Sequence, residues 1–105
     1  MTTLTGSPVR LGVVGCARIL PAHLRGIAAL QAQGLDPVRL TALCARRAED
    51  ALMFNQRGAG PPPRPAASAN TADPLGAPHR YVTDLQSEPA AVFTDWRDML
   101  DADCV

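Results

Sequence analysis

The regular pattern of the chain begins with a compact apolar run that ends in a glycine. This run, VRLGVVG over residues 9–15, contains three valines and only one charged residue. An apolar run of this length with β-branched residues is typical of a strand buried on both faces, as in a parallel sheet. We therefore predict a first strand over this segment.

A helical pattern follows between Pro21 and Gly34. In PAHLRGIAALQAQG, Leu24, Ile27 and Ala28 fall on one helical face, and the final glycine is a natural C-terminal stop. Proline is tolerated in the first turn of a helix, but it biases the preceding residue away from helical angles. The helix is therefore predicted to begin near this proline, after an irregular turn.

The strand–helix pair then repeats. Residues 38–45, VRLTALCA, alternate between apolar and polar side chains at first and are all apolar at the end, which indicates a second strand. Residues 46–58, RRAEDALMFNQRG, predict a short helix closed by a glycine. The inward-facing residues of this helix are expected to be Ala48, Ala51, Leu52 and Met53. Strands and helices that alternate with short joints are typical of right-handed βαβ units on a parallel sheet.

A proline-rich segment over residues 58–78 interrupts this order. It contains six of the ten prolines of the chain, so it cannot supply a regular ladder of backbone donors. We therefore predict a surface loop inserted into the domain. Loops of this length are either functional or disordered. Its PPPRP motif is compatible with polyproline II docking to a partner, although a passive insertion is the favoured interpretation.

The last segment, AAVFTDWRDMLDADCV, restores the pattern. We predict a short strand over residues 91–93 and a helix capped by Thr94 or Asp95. The predicted packing residues of this helix are Trp96, Met99 and Leu100. Residues 104–105 are expected to begin a further strand.

Together these elements predict one α/β domain over residues 1–105. It is a partial Rossmann-like parallel sheet of the order β-α-β-α-loop-β-α, and we expect it to lack the later strands. The first strand is central in the usual Rossmann order, so here it would be an exposed edge with unpaired donors and acceptors. We therefore expect low stability of the isolated chain and self-association through this edge.

Composition narrows the functional classes. The formal net charge is zero, which does not indicate a nucleic-acid partner, and no apolar run approaches the roughly 18 residues of a membrane span. Three scattered cysteines and the lack of a visible signal peptide predict a cytoplasmic protein with reduced thiols and no metal site. All ten basic residues are arginine, which excludes a lysine nucleophile within these residues. His23 and His79 have no recognisable catalytic partner and are expected to be structural or solvated.

The turn after the first strand carries the candidate chemistry. Dinucleotide-binding turns have the spacing Gly-x-Gly-x-x-Gly, whose glycines make the tight turn, admit the pyrophosphate and allow close helix packing. Gly15 fills the first position, but Ala17 and Leu20 replace the other two. Ala17 permits binding only if its backbone angles stay in an ordinary region. Leu20 is expected to make the helix stand off or begin later.

The end of the second strand is the next position that such a site would use. An acidic residue there usually binds the ribose hydroxyls, whereas this chain has Arg46 and Arg47. An arginine can pair with the 2′-phosphate of NADP through its planar fork of donors. NADP is therefore predicted over NAD if a dinucleotide binds. The open alternative is that both arginines are solvated residues at a helix start.

Three segments in this order, VRLGVVGCARI, LTALCARRAEDA and VFTDWRDML, resemble the N-terminal domain of the Gfo/Idh/MocA family of oxidoreductases. The resemblance covers nearly the whole chain except the proline-rich segment. The family's turn is similar to Gly-Cys-Gly-x-Ile-Ala, from which Ala17 and Leu20 depart. The residues that match this turn are Gly15, Cys16, Arg18 and Ile19. The residues that match the family's TD-aromatic-x-x-ML signal are Thr94, Asp95, Trp96, Met99 and Leu100.

This resemblance implies the NAD(P)-binding half of an oxidoreductase that acts on sugars or polyols. The residues expected to bind the cofactor are Gly12, Gly15, Cys16, Ala17, Arg18, Ile19, Arg46 and Arg47. The family's catalytic lysine lies in a Glu-Lys-Pro motif that is absent here, so we expect no catalysis by these residues alone. The alternative is a non-enzymatic Rossmann-like binding or interaction module that has lost its affinity for the cofactor.

Overall fold

The computed structural model describes residues 8–105, in which strands and helices alternate. The elements are β1 (Val9–Val14), α1 (Leu20–Ala32), β2 (Val38–Cys44), α2 (Ala48–Asn55), β3 (Ala91–Phe93) and α3 (Trp96–Asp101). Two short 3-10 turns, Pro74–Gly76 and Val82–Asp84, lie between α2 and β3. Over the described range, every helix falls short of the length and hydrophobicity that a bilayer span requires. These three strands and three helices are confirmed, each within a few residues of its predicted bounds.

The strands form one parallel sheet in the order β1-β2-β3. Neighbouring residues of β2 face opposite sides of it, because Leu43 packs in one core with α1 and α2 while Cys44 packs with Met99 of α3 in another. Two helices therefore lie on one face and the third lies on the other. This is a partial Rossmann-like arrangement, and it confirms the predicted α/β class.

β1 lies at the edge of the sheet, which confirms the expected exposed edge, but its two faces are less buried than its apolar sequence predicted. The side chains of Val9 and Val14 are each 61% exposed, and Leu11 is 38% exposed. Within residues 8–105, β2 is the only strand that pairs with β1. The expectation of a first strand buried on both faces is therefore wrong, because the central, buried position in this sheet belongs to β2.

The final residues do not form the predicted fourth strand. Residues 104–105 pair with no strand of the described chain. Instead, Thr41 Oγ1 donates a hydrogen bond to the Cys104 carbonyl oxygen, and Val105 packs over Gly12. A Cβ atom on Gly12 would lie 2.8 Å from Val105 Cγ1, so a side chain at this position would force Val105 to shift. The chain after α3 thus crosses one face of β1 rather than extending the sheet.

Helix packing departs from the predicted faces at three positions. In α3 only Met99 is buried, whereas Trp96 and Leu100 are 48% and 52% exposed, because so short a helix presents a narrow face to the sheet. Ala48 is exposed at the start of α2.

At the other end of α2, the buried Asn55 donates a hydrogen bond to the Ala90 carbonyl oxygen and accepts one from the Ala90 N–H, both at 2.7 Å. This amide clamp fixes the chain just before β3.

The proline-rich segment is an exposed and largely irregular excursion, as predicted. Arg25 of α1 fastens it by donating a hydrogen bond to the Thr71 carbonyl oxygen at 2.7 Å. Gly76 and Ala77 near its end are buried, and a Cβ atom on Gly76 would overlap the Asn70 carbonyl oxygen. The segment therefore follows a defined path along the helical face of the domain.

Candidate functional site

A cleft of about 380 Å³ opens where the three parallel strands end. Its lining consists of Val14 and Gly15 at the end of β1, residues 44–46 at the end of β2, and residues 94–97 between β3 and the first turn of α3. Open α/β sheets bind their ligands outside the carboxyl ends of the strands. The cleft is therefore the candidate functional site.

Gly15 makes the turn that leaves β1. Its φ of +97° lies in a region that side-chain-bearing residues rarely adopt, while no atom lies within 4 Å of the position of a Cβ atom. Its N–H donates a hydrogen bond to the Cys44 carbonyl oxygen at 2.9 Å, which ties the turn to the end of β2. The glycine is required here by backbone conformation rather than by crowding.

The backbone N–H groups that follow Gly15 lack an internal acceptor. The N–H groups of residues 16–19 donate no hydrogen bond to an acceptor within the described chain, and the first N–H with an internal acceptor is that of Leu20, bonded to Ala17 O at 3.1 Å. Asp103 is the only non-glycine residue in the described range with positive φ, so Ala17 keeps ordinary angles. The condition that Ala17 sets for phosphate binding is thus met.

Cys16 and Leu20 point inward from this turn. Leu20 is the first residue of α1 and is fully buried. The helix thus begins at Leu20, after an irregular turn as predicted. Cys16 Sγ lies 3.6 Å from the Cys44 carbonyl oxygen, and burial raises the pKa of its thiol to about 11. The Cys16 thiol is therefore protonated at neutral pH, and its role is packing.

Arg46 and Arg47 have different surroundings. Arg47 forms ion pairs with Glu49 at 3.3 Å and with Asp50 at 3.5 Å at the start of α2. Arg46 lines the cleft and takes part in none of the ion pairs formed within residues 8–105. Of the two, only Arg46 presents an uncommitted guanidinium to the cleft.

Trp96 and Arg97 were not predicted as site residues. The Trp96 ring lines the cleft with nearly half of its surface exposed, and the Arg97 guanidinium lies 5.1 Å from the ring centroid. The interpretation of Trp96 as a packing residue is therefore wrong. Asp95 caps α3 by accepting a hydrogen bond from Arg97 N at 2.8 Å. Trp96 directly follows this cap, beyond the carboxyl end of β3 where such sheets bind their ligands, and this position is the signal that could have identified it.

The structure does not bring every predicted residue to the cleft. Gly12 lies in the middle of β1 against Met99 and Val105. Arg18 and Ile19 are exposed on the turn, and Arg18 lines a neighbouring cleft. Of the predicted cofactor-binding residues, the structure places only Gly15 and Arg46 in the cleft lining. Cys16, Ala17, Arg18 and Ile19 follow Gly15 along the turn, and Arg47 is held at the start of α2.

The two histidines lie outside the lining of the cleft, and His79 lines a separate pocket together with Arg18 and Arg64. His79 stacks on Phe54 with ring centroids 4.8 Å apart, and its Nε2 donates a hydrogen bond to the Met53 carbonyl oxygen at 2.9 Å. His23 is exposed on α1. His79 therefore has a structural role, as its sequence context predicted.

Comparison of the chain with protein-family models, with curated proteins and with solved structures finds no match. The resemblance to the Gfo/Idh/MocA family therefore stays a prediction from three sequence segments. The functional argument depends on the geometry of the cleft.

Proposed function

We propose that the cleft at the carboxyl ends of the strands binds a dinucleotide, NADP in preference to NAD. The observation that carries the proposal is the turn over residues 15–19. It carries backbone N–H groups without an internal acceptor directly before α1, and it begins at Gly15, which lines the cleft together with Arg46. Amides at a helix N-terminus favour phosphate groups through both hydrogen bonding and the helix dipole.

Each part of the site suits one part of such a ligand. The amides of residues 16–19 would hold the diphosphate, and the guanidinium of Arg46 would pair with the 2′-phosphate. The exposed Trp96 ring offers an aromatic face for the adenine base. The three residues directly after β2 are Ala45, Arg46 and Arg47 rather than an acid that would bind free ribose hydroxyls, which supports NADP over NAD.

The wider function that we propose is the cofactor half of an oxidoreductase acting on sugars or polyols in the cytoplasm. Its support is the resemblance of the three sequence segments. A bound nicotinamide cofactor would supply hydride transfer. The described residues contribute binding and orientation, and no catalytic group is assigned among them.

Calorimetric titration with NADPH and NADH tests the proposal. We expect micromolar NADPH binding and weaker NADH binding. Arg46→Ala should weaken NADPH binding roughly tenfold or more, because a charge-assisted hydrogen bond contributes about 1.5–3 kcal/mol, and should leave NADH binding unchanged. Arg10→Ala is the matched control, because Arg10 is an exposed arginine of β1 outside the cleft.

Two results would contradict the proposal. Failure of both cofactors to bind would favour the non-enzymatic module instead. Equal weakening by Arg10→Ala and Arg46→Ala would show that the arginine effect is a general electrostatic one.

A further inference from the structure

At Arg64, the proline-rich segment comes back to the end of the sheet where the carboxyl ends of the strands lie. This arginine is the centre of the PPPRP motif, with Pro63 before it and Pro65 after it. Its Nη1 lies 3.4 Å from Oδ1 of Asp50 in the first turn of α2. The segment that leaves the far end of α2 thus places a guanidinium beside the start of the same helix.

Arg64 also shares a cleft with the turn after β1. This second cleft, of about 280 Å³, is lined by Arg18 on one side and by residues 64–67 on the other. Arg18 belongs to the same turn whose amides are open. The proline-rich segment therefore forms one wall of a space that borders the proposed phosphate site.

This end of the molecule carries an excess of positive charge. Asp50 is shared between two guanidinium groups, those of Arg47 at 3.5 Å and Arg64 at 3.4 Å, so one carboxylate cannot neutralise both. Glu49 pairs with Arg47, whereas Arg18 and Arg46 form no ion pair within residues 8–105. Two positive charges are thus left over locally, although the whole chain has a formal net charge of zero.

The Arg64 ion pair is loose enough to be replaced. Strong guanidinium–carboxylate hydrogen bonds have distances of about 2.7–2.9 Å, and the Arg64 side chain is 42% exposed. The backbone around it is better fixed. Prolines restrict φ on both sides of Arg64, and a Cβ atom on Gly60 would lie 2.7 Å from the Leu52 carbonyl carbon, so the segment packs tightly on α2. A fixed backbone whose charged tip is held only by this long ion pair suits ligand binding.

We infer that Arg64 binds a phosphate group at this end of the sheet, so that the proline-rich segment supplies part of the binding site. The inference deepens the proposed function where the phosphate belongs to a dinucleotide. The group is either the 2′-phosphate of NADP or the diphosphate that NADP and NAD share. A passive insertion would leave Arg64 without effect on any phosphate ligand.

The experiment compares the wild-type chain with Arg64→Ala by calorimetric titration with NADPH, NADH and inorganic pyrophosphate. Arg57→Ala is the matched control, because Arg57 lies over the Tyr81 ring and pairs with Asp84 away from both clefts. Arg64→Lys keeps the charge but loses the planar fork, and should give an intermediate affinity. Thermal unfolding of each variant establishes that it is folded.

We expect Arg64→Ala to weaken NADPH binding roughly tenfold, the effect of one charge-assisted contact, while Arg57→Ala has no effect. A loss for NADPH alone identifies the 2′-phosphate, and an equal loss for all three ligands identifies the diphosphate. Unchanged binding of every ligand to Arg64→Ala would overturn the inference, as would a wild-type chain that binds none of them. If only pyrophosphate binds and its binding needs Arg64, the inference holds while the proposed dinucleotide function fails.

Discussion

At the scale of single residues, the surroundings of a side chain decide its role more than its type does. Arg46 and Arg47 are equivalent in the sequence, yet Arg47 is committed to Glu49 and Asp50 while Arg46 faces the cleft. Trp96 shows the same effect, because aromatic residues usually pack in cores but α3 leaves this one nearly half exposed. Sequence patterns reveal candidates of this kind, whereas ion-pair partners and exposure require the folded chain.

His79 carries a pH-dependent contribution to stability. Burial lowers its pKa below the ordinary value of 6.5, and this outweighs the hydrogen bond to Met53, which acts in the opposite direction. The folded chain therefore binds fewer protons than the unfolded chain between the lowered pKa and 6.5. The free energy of unfolding should rise with pH through this window, and its His79 contribution should be lost as the pH falls through it.

Chemical denaturation of His79→Gln over a pH series measures this contribution. At neutral pH the variant should lose about 1 kcal/mol, because the stacking on Phe54 is removed, and its stability should depend less on pH below neutrality. His23→Gln, which replaces an exposed histidine of α1, is the matched control. An unchanged slope in His79→Gln would show that this histidine does not carry the effect.

At the scale of elements, β1 is an apolar strand with an open edge. Val9, Leu11 and Val13 alternate along one face, and no strand of residues 8–105 pairs with the outer edge. An apolar edge strand with free donors and acceptors is a template for another strand. A second copy is self-complementary here, since antiparallel pairing centred on Leu11 places Val9 of each copy opposite Val13 of the other.

We therefore expect reversible, concentration-dependent self-association of the chain. In sedimentation experiments, Val9→Lys should weaken association roughly tenfold or more, about 1.4 kcal/mol, because a charged edge residue opposes strand pairing. Leu30→Lys, which replaces an exposed apolar residue of α1, should have no effect. A monomer at every concentration, with a sharp and concentration-independent thermal transition, would contradict this expectation.

The elements themselves were largely predictable, and their long-range contacts were not. The apolar run of β1, the helical face around Leu24 and the Asp95 cap carry local signals that place the element boundaries. The Asn55 clamp on Ala90 and the return of Arg64 to Asp50 join positions that are 35 and 14 residues apart. The local periodicity of a sequence carries no information about contacts of this kind. The candidate site could therefore be located from the sequence, but the wall that the proline-rich segment adds beside it could not.

At the scale of the whole molecule, the arrangement of layers determines where the chemistry can occur. Two helices lie on one face of the sheet and α3 lies on the other, and all three strands point their carboxyl ends at one edge. The turn at Gly15, the arginine after β2 and the loop after β3 therefore converge although they are far apart in sequence. The central claim is that this convergence binds a dinucleotide.

Trp96 allows the most direct measurement of this claim. It is the only tryptophan of the chain and it lies in the cleft, so its fluorescence reports on the site without a label. Titration with NADPH should quench this fluorescence in a saturable manner, and NADH should do so with lower affinity. A response to both cofactors that is linear and identical to that of a free tryptophan analogue would contradict the account.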